Sequence, residues 1–204
     1  MILAIAANRD QKLALEQKGF GETIEIEWFA SSASLYEQNN SHALIDCLFS
    51  ESVVPETGKP LLIHSPVATL EELKAPGNTA RFCAWNSFIE RPVWEIALSD
   101  QSNNLWIQDL MAITGWQYQL VKDEPGLLAP RVISMIINEA YFALNEGISD
   151  KEDINTAMRL GTNYPYGPFE WAEKIGVKNI HGLLTKLSQT DKRYEPSGLL
   201  AAGY

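Results

Sequence analysis

The chain has 204 residues and a formal net charge of −10, a length for one large domain or two small ones. Its acidic balance excludes a nucleic-acid surface, which needs a basic patch, and no Lys/Arg cluster is denser than Asp191-Lys192-Arg193. No apolar run is long enough to span a membrane, and Cys47 and Cys83, both in apolar or aromatic surroundings, read as reduced core residues of a cytoplasmic protein.

Met1 to Ala7 is apolar throughout and has no basic residue before it. It is a poor signal peptide and a good strand buried on both faces. Asp10 to Gln17 predicts a short helix. From Thr23 to Phe29, Ile24, Ile26 and Trp28 alternate with Glu25 and Glu27, the period of a half-exposed strand. A weak helix is expected over Ser31–Gln38, then buried strands over Ala43–Phe49 and Pro60–Ile63. Pro55 and Gly58 break the chain between them. Strands over Thr79–Trp85 and Pro92–Leu98 flank a turn at Asn86-Ser87. A helix over Leu105–Ile113 and a strand over Trp116–Val121 complete this half. Strands alternating with short helices predict a parallel-rich α/β sheet over residues 1–124.

Residues 125–204 read as all-helical. Gly126 opens an apolar run that ends at Gly147, whose position suits the left-handed residue closing a helix. Val132, Met135, Ile136, Ala140 and Ala143 have helical spacing, and Ile133, Ile137, Tyr141 and Leu144 cover a neighbouring face. Such a helix is expected to be buried by more than one neighbour. Ser149 with Glu152 reads as the capping box of a helix running to Leu160. Asn163-Tyr164-Pro165-Tyr166-Gly167-Pro168 reads as a rigid turn, with Pro168 opening the next helix and Glu170 in its first turn. Val177–Ser188 predicts a last helix, and a tail follows from Tyr194.

Few residues suggest chemistry. A dinucleotide site needs glycines just after the first strand, so that backbone amides can approach the pyrophosphate. Here Ala6-Ala7-Asn8-Arg9-Asp10 contains none, Asp10 adds negative charge, and Gly19-Phe20-Gly21 comes after the helix. Of the three histidines, His42, His64 and His181, His64 lies at the carboxyl end of an apolar strand, where open α/β sheets place ligands. Ser65 follows it without a glycine elbow. No metal-ligand spacing appears. Glu95, between Trp94 and Ile96, is either on a solvent face or a buried functional group.

The helical half resembles the C-terminal domain of the L-3-hydroxyacyl-CoA dehydrogenases. The residues that carry the likeness are Gly126, Arg131, Glu139-Ala140, Glu146-Gly147, Ile154-Asn155-Thr156-Ala157-Met158, Leu160-Gly161, Tyr164-Pro165-Tyr166-Gly167-Pro168-Phe169-Glu170 and the ending Pro196-Ser197-Gly198-Leu199-Leu200. In front, Arg81-Phe82-Cys83-Ala84-Trp85-Asn86 with Pro92-Val93-Trp94-Glu95 is similar to the family segment H-F-F-N-P-x-P-x-x-x-L-V-E. That register places Asn86 on the family asparagine and Glu95 on the glutamate that orients the catalytic histidine, whose own position is Cys83. Ile63-His64-Ser65-Pro66-Val67 matches A-S-N-T-S, with Ser65 on the first serine. Pro130 replaces the asparagine before Arg131.

The resemblance implies a truncated Rossmann-like α/β domain (1–124) and a helical dimerisation domain (125–204). It implies NAD as cofactor, an acyl-CoA-type substrate in fatty-acid metabolism, a homodimer, and Glu95, Ser65 and Asn86 as site residues. In the family a histidine accepts the hydroxyl proton while hydride passes to NAD. Cys83 is a poor substitute, because a thiol titrates near about 8.5 against about 6.5 for imidazole. Two functions stand open: a 3-hydroxyacyl-CoA dehydrogenase, or a catalytically inactive member that binds acyl-CoA or acts as a dimer partner.

Overall fold

The first strand, β1 (Ile2–Ala6), shows how the sequence builds the sheet. Its alternate residues enter opposite cores: Leu3 and Ile5 join one buried cluster, Ala4 and Ala6 the other. The remaining strands are β2 (Glu25–Phe29), β3 (Ala43–Asp46), β4 (Leu61–His64), β5 (Thr79–Phe82), β6 (Val93–Leu98) and β7 (Gln117–Leu120). They form one seven-stranded sheet in the order β2-β1-β3-β4-β5-β6-β7. Every pairing is parallel except β5 with β6. The computed structural model describes all residues except Glu51, Ser52, Gln101, Asn103 and Tyr204.

Helices α1 (Arg9–Lys18) and α3 (Leu105–Thr114) supply Leu15, Ile107, Leu110 and Met111 to the first core. The second core holds Leu35 of α2 (Ser32–Glu37) with Phe49, Val54 and Leu70 from loops. The parallel connections 47–60 and 65–78 contain no helix among the described residues. Parallel crossovers usually carry one, so the sheet is a trimmed version of the doubly wound pattern. An aromatic ladder crosses the first core. Its ring centroids are 4.8 Å apart for Phe82–Trp94, 4.6 Å for Trp94–Trp116, 5.2 Å for Trp116–Phe20 and 6.1 Å for Phe20–Trp28.

The α/β architecture followed by helices is the expected one, with differences in detail. The strands around Asn86-Ser87 stop early, at Phe82, and resume at Val93. Between them residues 83–92 fold into a compact loop rather than a tight turn. Buried Trp85 and Phe88 pack edge-on at 6.0 Å, and Ser87 adopts φ +73°.

Contacts divide the chain into two units, Met1–Leu127 and Leu128–Tyr204. The second comprises α4 (Ala129–Asn145), α5 (Lys151–Thr162), α6 (Pro168–Ile175), α7 (Val177–Ser188), a 3-10 turn (Lys192–Tyr194) and α8 (Gly198–Ala202). Helix α4 starts three residues later than expected, because Gly126 (φ +84°) and Leu127 (φ +48°) are left-handed. As expected, it packs against more than one neighbour: α6, α7 and α8. Ile137, Ala140 and Tyr141 are buried, whereas Val132 is 48% exposed and Met135 and Ile136 are half-buried. The cap of α5 is Asp150, not Ser149: its carboxylate accepts the Asp153 N–H at 2.9 Å. The tail is ordered too. Asn138 donates to the Glu195 carbonyl and accepts from the Ser197 N–H, both at 2.9 Å, and Ser197 then caps α8.

The Tyr164–Glu170 motif has a local explanation. Asn155 Oδ1 accepts the Phe169 N–H at 2.9 Å, and any Cβ at position 167 would collide with the Asn155 side chain. Glu170 accepts the Gly167 N–H at 2.7 Å and meets Arg159 at 2.9 Å. A glycine, an amide and a carboxylate at these spacings therefore dock α6 onto α5.

Candidate functional site at the carboxyl ends of the strands

The sequence-predicted residues gather where β4, β5 and β6 meet in the α/β unit. The β5–β6 register pairs Ala80 with Leu98 and Arg81 with Ala97. Continued two steps, it sets Cys83 against Glu95. Cys83 is buried, and that burial pushes its thiol well above the ordinary range; the Glu95 charge acts the same way, while Arg91 and Arg81 oppose it. Cys83 is thus a neutral thiol. Glu95 faces a guanidinium: its carboxylate lies 3.7 Å from Arg91 Nη1.

His64, at the end of β4, is spoken for. Its Nδ1 accepts the Ala84 N–H at 2.9 Å, which leaves the proton of the neutral ring on Nε2. Burial lowers its pKa to about 4, with the Phe82 backbone acting in the other direction. An imidazole with its acceptor nitrogen occupied cannot take a substrate proton near neutral pH. Ser65 is fully buried, and its hydroxyl donates to the Ala68 carbonyl at 2.8 Å. Asn86 is half-buried in the 83–92 loop beside left-handed Ser87.

These residues rest on a clamp. Arg81 is wholly buried; it donates from Nη1 to the Ser65 carbonyl (2.8 Å), from Nη2 to the Glu124 carbonyl (2.7 Å), and pairs through Nε with Asp123. Asp123 also accepts the Leu70 N–H at 2.9 Å. Arg81 thereby fixes the end of β4 and the chain after β7.

Two polar residues were missed by the motif search. Gln11, in the first turn of α1, is 6% exposed and bridges three backbone segments. Its signal was the Asn8-x-x-Gln11 spacing of a capping box directly after a strand. Asp46 ends β3; burial raises its pKa, while hydrogen bonds from Tyr36, Ser32 and the Leu48 N–H act against that rise. Its signal was a carboxylate closing an apolar strand. Among the described residues no three His, Cys, Asp or Glu side chains group as metal ligands.

A mostly parallel sheet whose order reverses at β1 is an open α/β sheet of the doubly wound kind. The chain superimposes on (S)-3-hydroxybutyryl-CoA dehydrogenase from Ralstonia eutropha with a TM-score of 0.76, over 100% of this chain and 94% of that one, at 17% identity. Residues 126–202 match the family model of the 3-hydroxyacyl-CoA dehydrogenase C-terminal domain. The helical unit thus carries a domain of the 3-hydroxyacyl-CoA dehydrogenase C-terminal type. The chain is 48% identical over 82 residues to the 3-hydroxyadipyl-CoA dehydrogenase of Escherichia coli K12, a stretch covering 39% of this chain and 17% of that protein. It is 34% identical over 95 residues to the 3-hydroxybutyryl-CoA dehydrogenase of Bradyrhizobium diazoefficiens, covering 46% and 32%. The matched stretches are thus a third or less of those relatives' lengths.

Proposed function

We propose that this chain recognises an acyl-CoA-type small molecule without oxidising it, serving as a binding or dimer-partner module of the 3-hydroxyacyl-CoA dehydrogenase family. The observation that carries this reading is the pair at positions 83 and 95. Where oxidation needs a carboxylate-oriented base, the chain has a buried neutral thiol beside a carboxylate held near Arg91. Losing a positioned base typically costs about two to four orders of magnitude in rate. Glu95, Ser65 and Asn86 keep the places of site residues and act here in packing.

The relatives' names support an acyl-CoA ligand. A homodimer through the helical unit is supported by its open apolar positions, Val132 at 48%, Ile148 at 69% and Leu160 at 83% exposure. A cytoplasmic location is supported by the two free buried cysteines. No helix of the described residues is long and apolar enough to cross a membrane.

Two measurements test the proposal. Calorimetric titration with acetoacetyl-CoA is expected to show saturable binding. Incubation with 3-hydroxybutyryl-CoA and NAD at neutral pH is expected to produce no NADH. Absence of acyl-CoA binding, or steady NADH production by the purified chain, overturns it.

A further inference from the structure

In open α/β sheets the ligand crevice lies outside the carboxyl ends of the strands at the point where strand order reverses. Here that point is β1, with β2 on one side and β3 on the other. A dinucleotide's pyrophosphate would need the free amides of the first turn and the N-terminus of α1. Three of those amides are engaged by the chain itself. The Ala7 N–H donates to the Phe29 carbonyl at 3.2 Å. The Asn8 N–H donates to Gln11 Oε1 at 3.0 Å, and the Gln11 N–H to Asn8 Oδ1 at 2.9 Å. Gln11 Nε2 then reaches along the strand ends, donating to the Cys47 carbonyl after β3 (3.0 Å) and the Ala84 carbonyl after β5 (3.1 Å). No glycine lies between residues 6 and 11, and Asp10 sits in the first turn of α1.

We infer that Gln11 fills the dinucleotide crevice from within: its carboxamide occupies the strand ends that a pyrophosphate would approach, and the α/β unit takes no NAD. The residues present do not fit the cofactor that the family implies. A phosphate would have to displace a buried carboxamide that meets three backbone partners, and its charge would lie beside Asp10. The first turn has become a tie that joins the ends of β1, β3 and β5. The inference extends the non-oxidising reading, yet the two fail separately.

The experiment uses the full chain and three probes: NADH, ADP-ribose and AMP. Titration followed by ligand and tryptophan fluorescence is expected to show no saturable binding up to about 1 mM. Gln11→Met keeps the side-chain volume and loses the three hydrogen bonds of the carboxamide. It is expected to lower the Tm by roughly 5–10 °C and to speed amide exchange at Asn8 and Gln11 by about tenfold or more. Should Gln11→Met fail to fold, exchange in the wild type decides: the Asn8 and Gln11 amides are expected to be as protected as those of β1. Saturable binding of any probe to the wild type overturns the inference. So does an unchanged Tm in Gln11→Met, or unprotected Asn8 and Gln11 amides. NADH binding without turnover sinks this inference alone, whereas missing acyl-CoA binding sinks only the proposed function.

Discussion

The two units use their polar residues in different ways. In the helical unit, the residues that match the family are the ones that hold the helices together: Asn155 and Glu170 cap α6, Gly167 lets it approach α5, and Ser197 pins the tail to Asn138. In the α/β unit, residues placed where ligands bind are turned onto the chain's own backbone. Gln11, His64, Ser65 and Arg81 each bond a main-chain group. A helical unit whose signature is structural keeps that signature while its chemistry changes. A sheet whose polar strand ends are structural has a closed site instead of an open one.

Breaking the clamp is the largest expected effect. Arg81→Met strands Asp123 and two carbonyls, and should cost about 3–5 kcal/mol, read as a lower urea midpoint of the α/β unit. Next comes pH. The folded pKa of His64 is about 4 against 6.5 in the reference state. A group with a depressed basic pKa protonates more readily when unfolded, so its contribution is complete above about pH 6.5 and is lost as pH falls toward 4. The loss should approach about 3 kcal/mol across that window. Asp46, shifted upward, acts with the opposite sign at low pH. His64→Gln should therefore flatten the decline between pH 6.5 and 4, and an unchanged slope would remove His64 as its source.

Gly167→Ala probes the helical unit. Its Cβ meets Asn155, so a loss of about 1–3 kcal/mol is expected, and pairing it with Asn155→Ala should be less than additive. Asn138→Ala leaves the Ser197 N–H and Glu195 carbonyl without their partner, for about 2 kcal/mol, with faster amide exchange confined to 195–202. Smallest is Glu95→Gln. Its ion pair is 3.7 Å long with Arg91 42% exposed, so a stability change of about 1 kcal/mol or less is expected, with acyl-CoA affinity unaltered. A large loss of affinity would give Glu95 a direct role in the ligand site.

Much of this was legible in the sequence. Runs such as Ala43–Asp46 and Leu61–His64 are apolar because parallel strands are covered on both faces. The glycine, proline and carboxylate spacing of Gly167-Pro168-Phe169-Glu170 dictates a helix start in any context. The likeness of short motifs singled out Cys83 and Glu95, and the β5–β6 register explains why they come together. What stayed hidden depends on distant backbone. Gln11 reads as an ordinary helix residue until Cys47 and Ala84 are seen beside it, 36 and 73 residues away. The buried face of α4 could not be told from its open one, since both are apolar. The anchoring of the tail was hidden because the residue that fixes it, Asn138, lies 59 positions earlier.

The aromatic ladder gives the molecule an optical consequence. Of six tryptophans, only Trp171 lies in the helical unit; the other five, at 28, 85, 94, 106 and 116, belong to the α/β unit. With Trp94 and Trp116 rings 4.6 Å apart at 53°, their transitions couple, and the chain carries its own chiroptical reporter. That signal should vanish when the sheet melts and persist if the helices alone unfold, so circular dichroism separates the two units without a label.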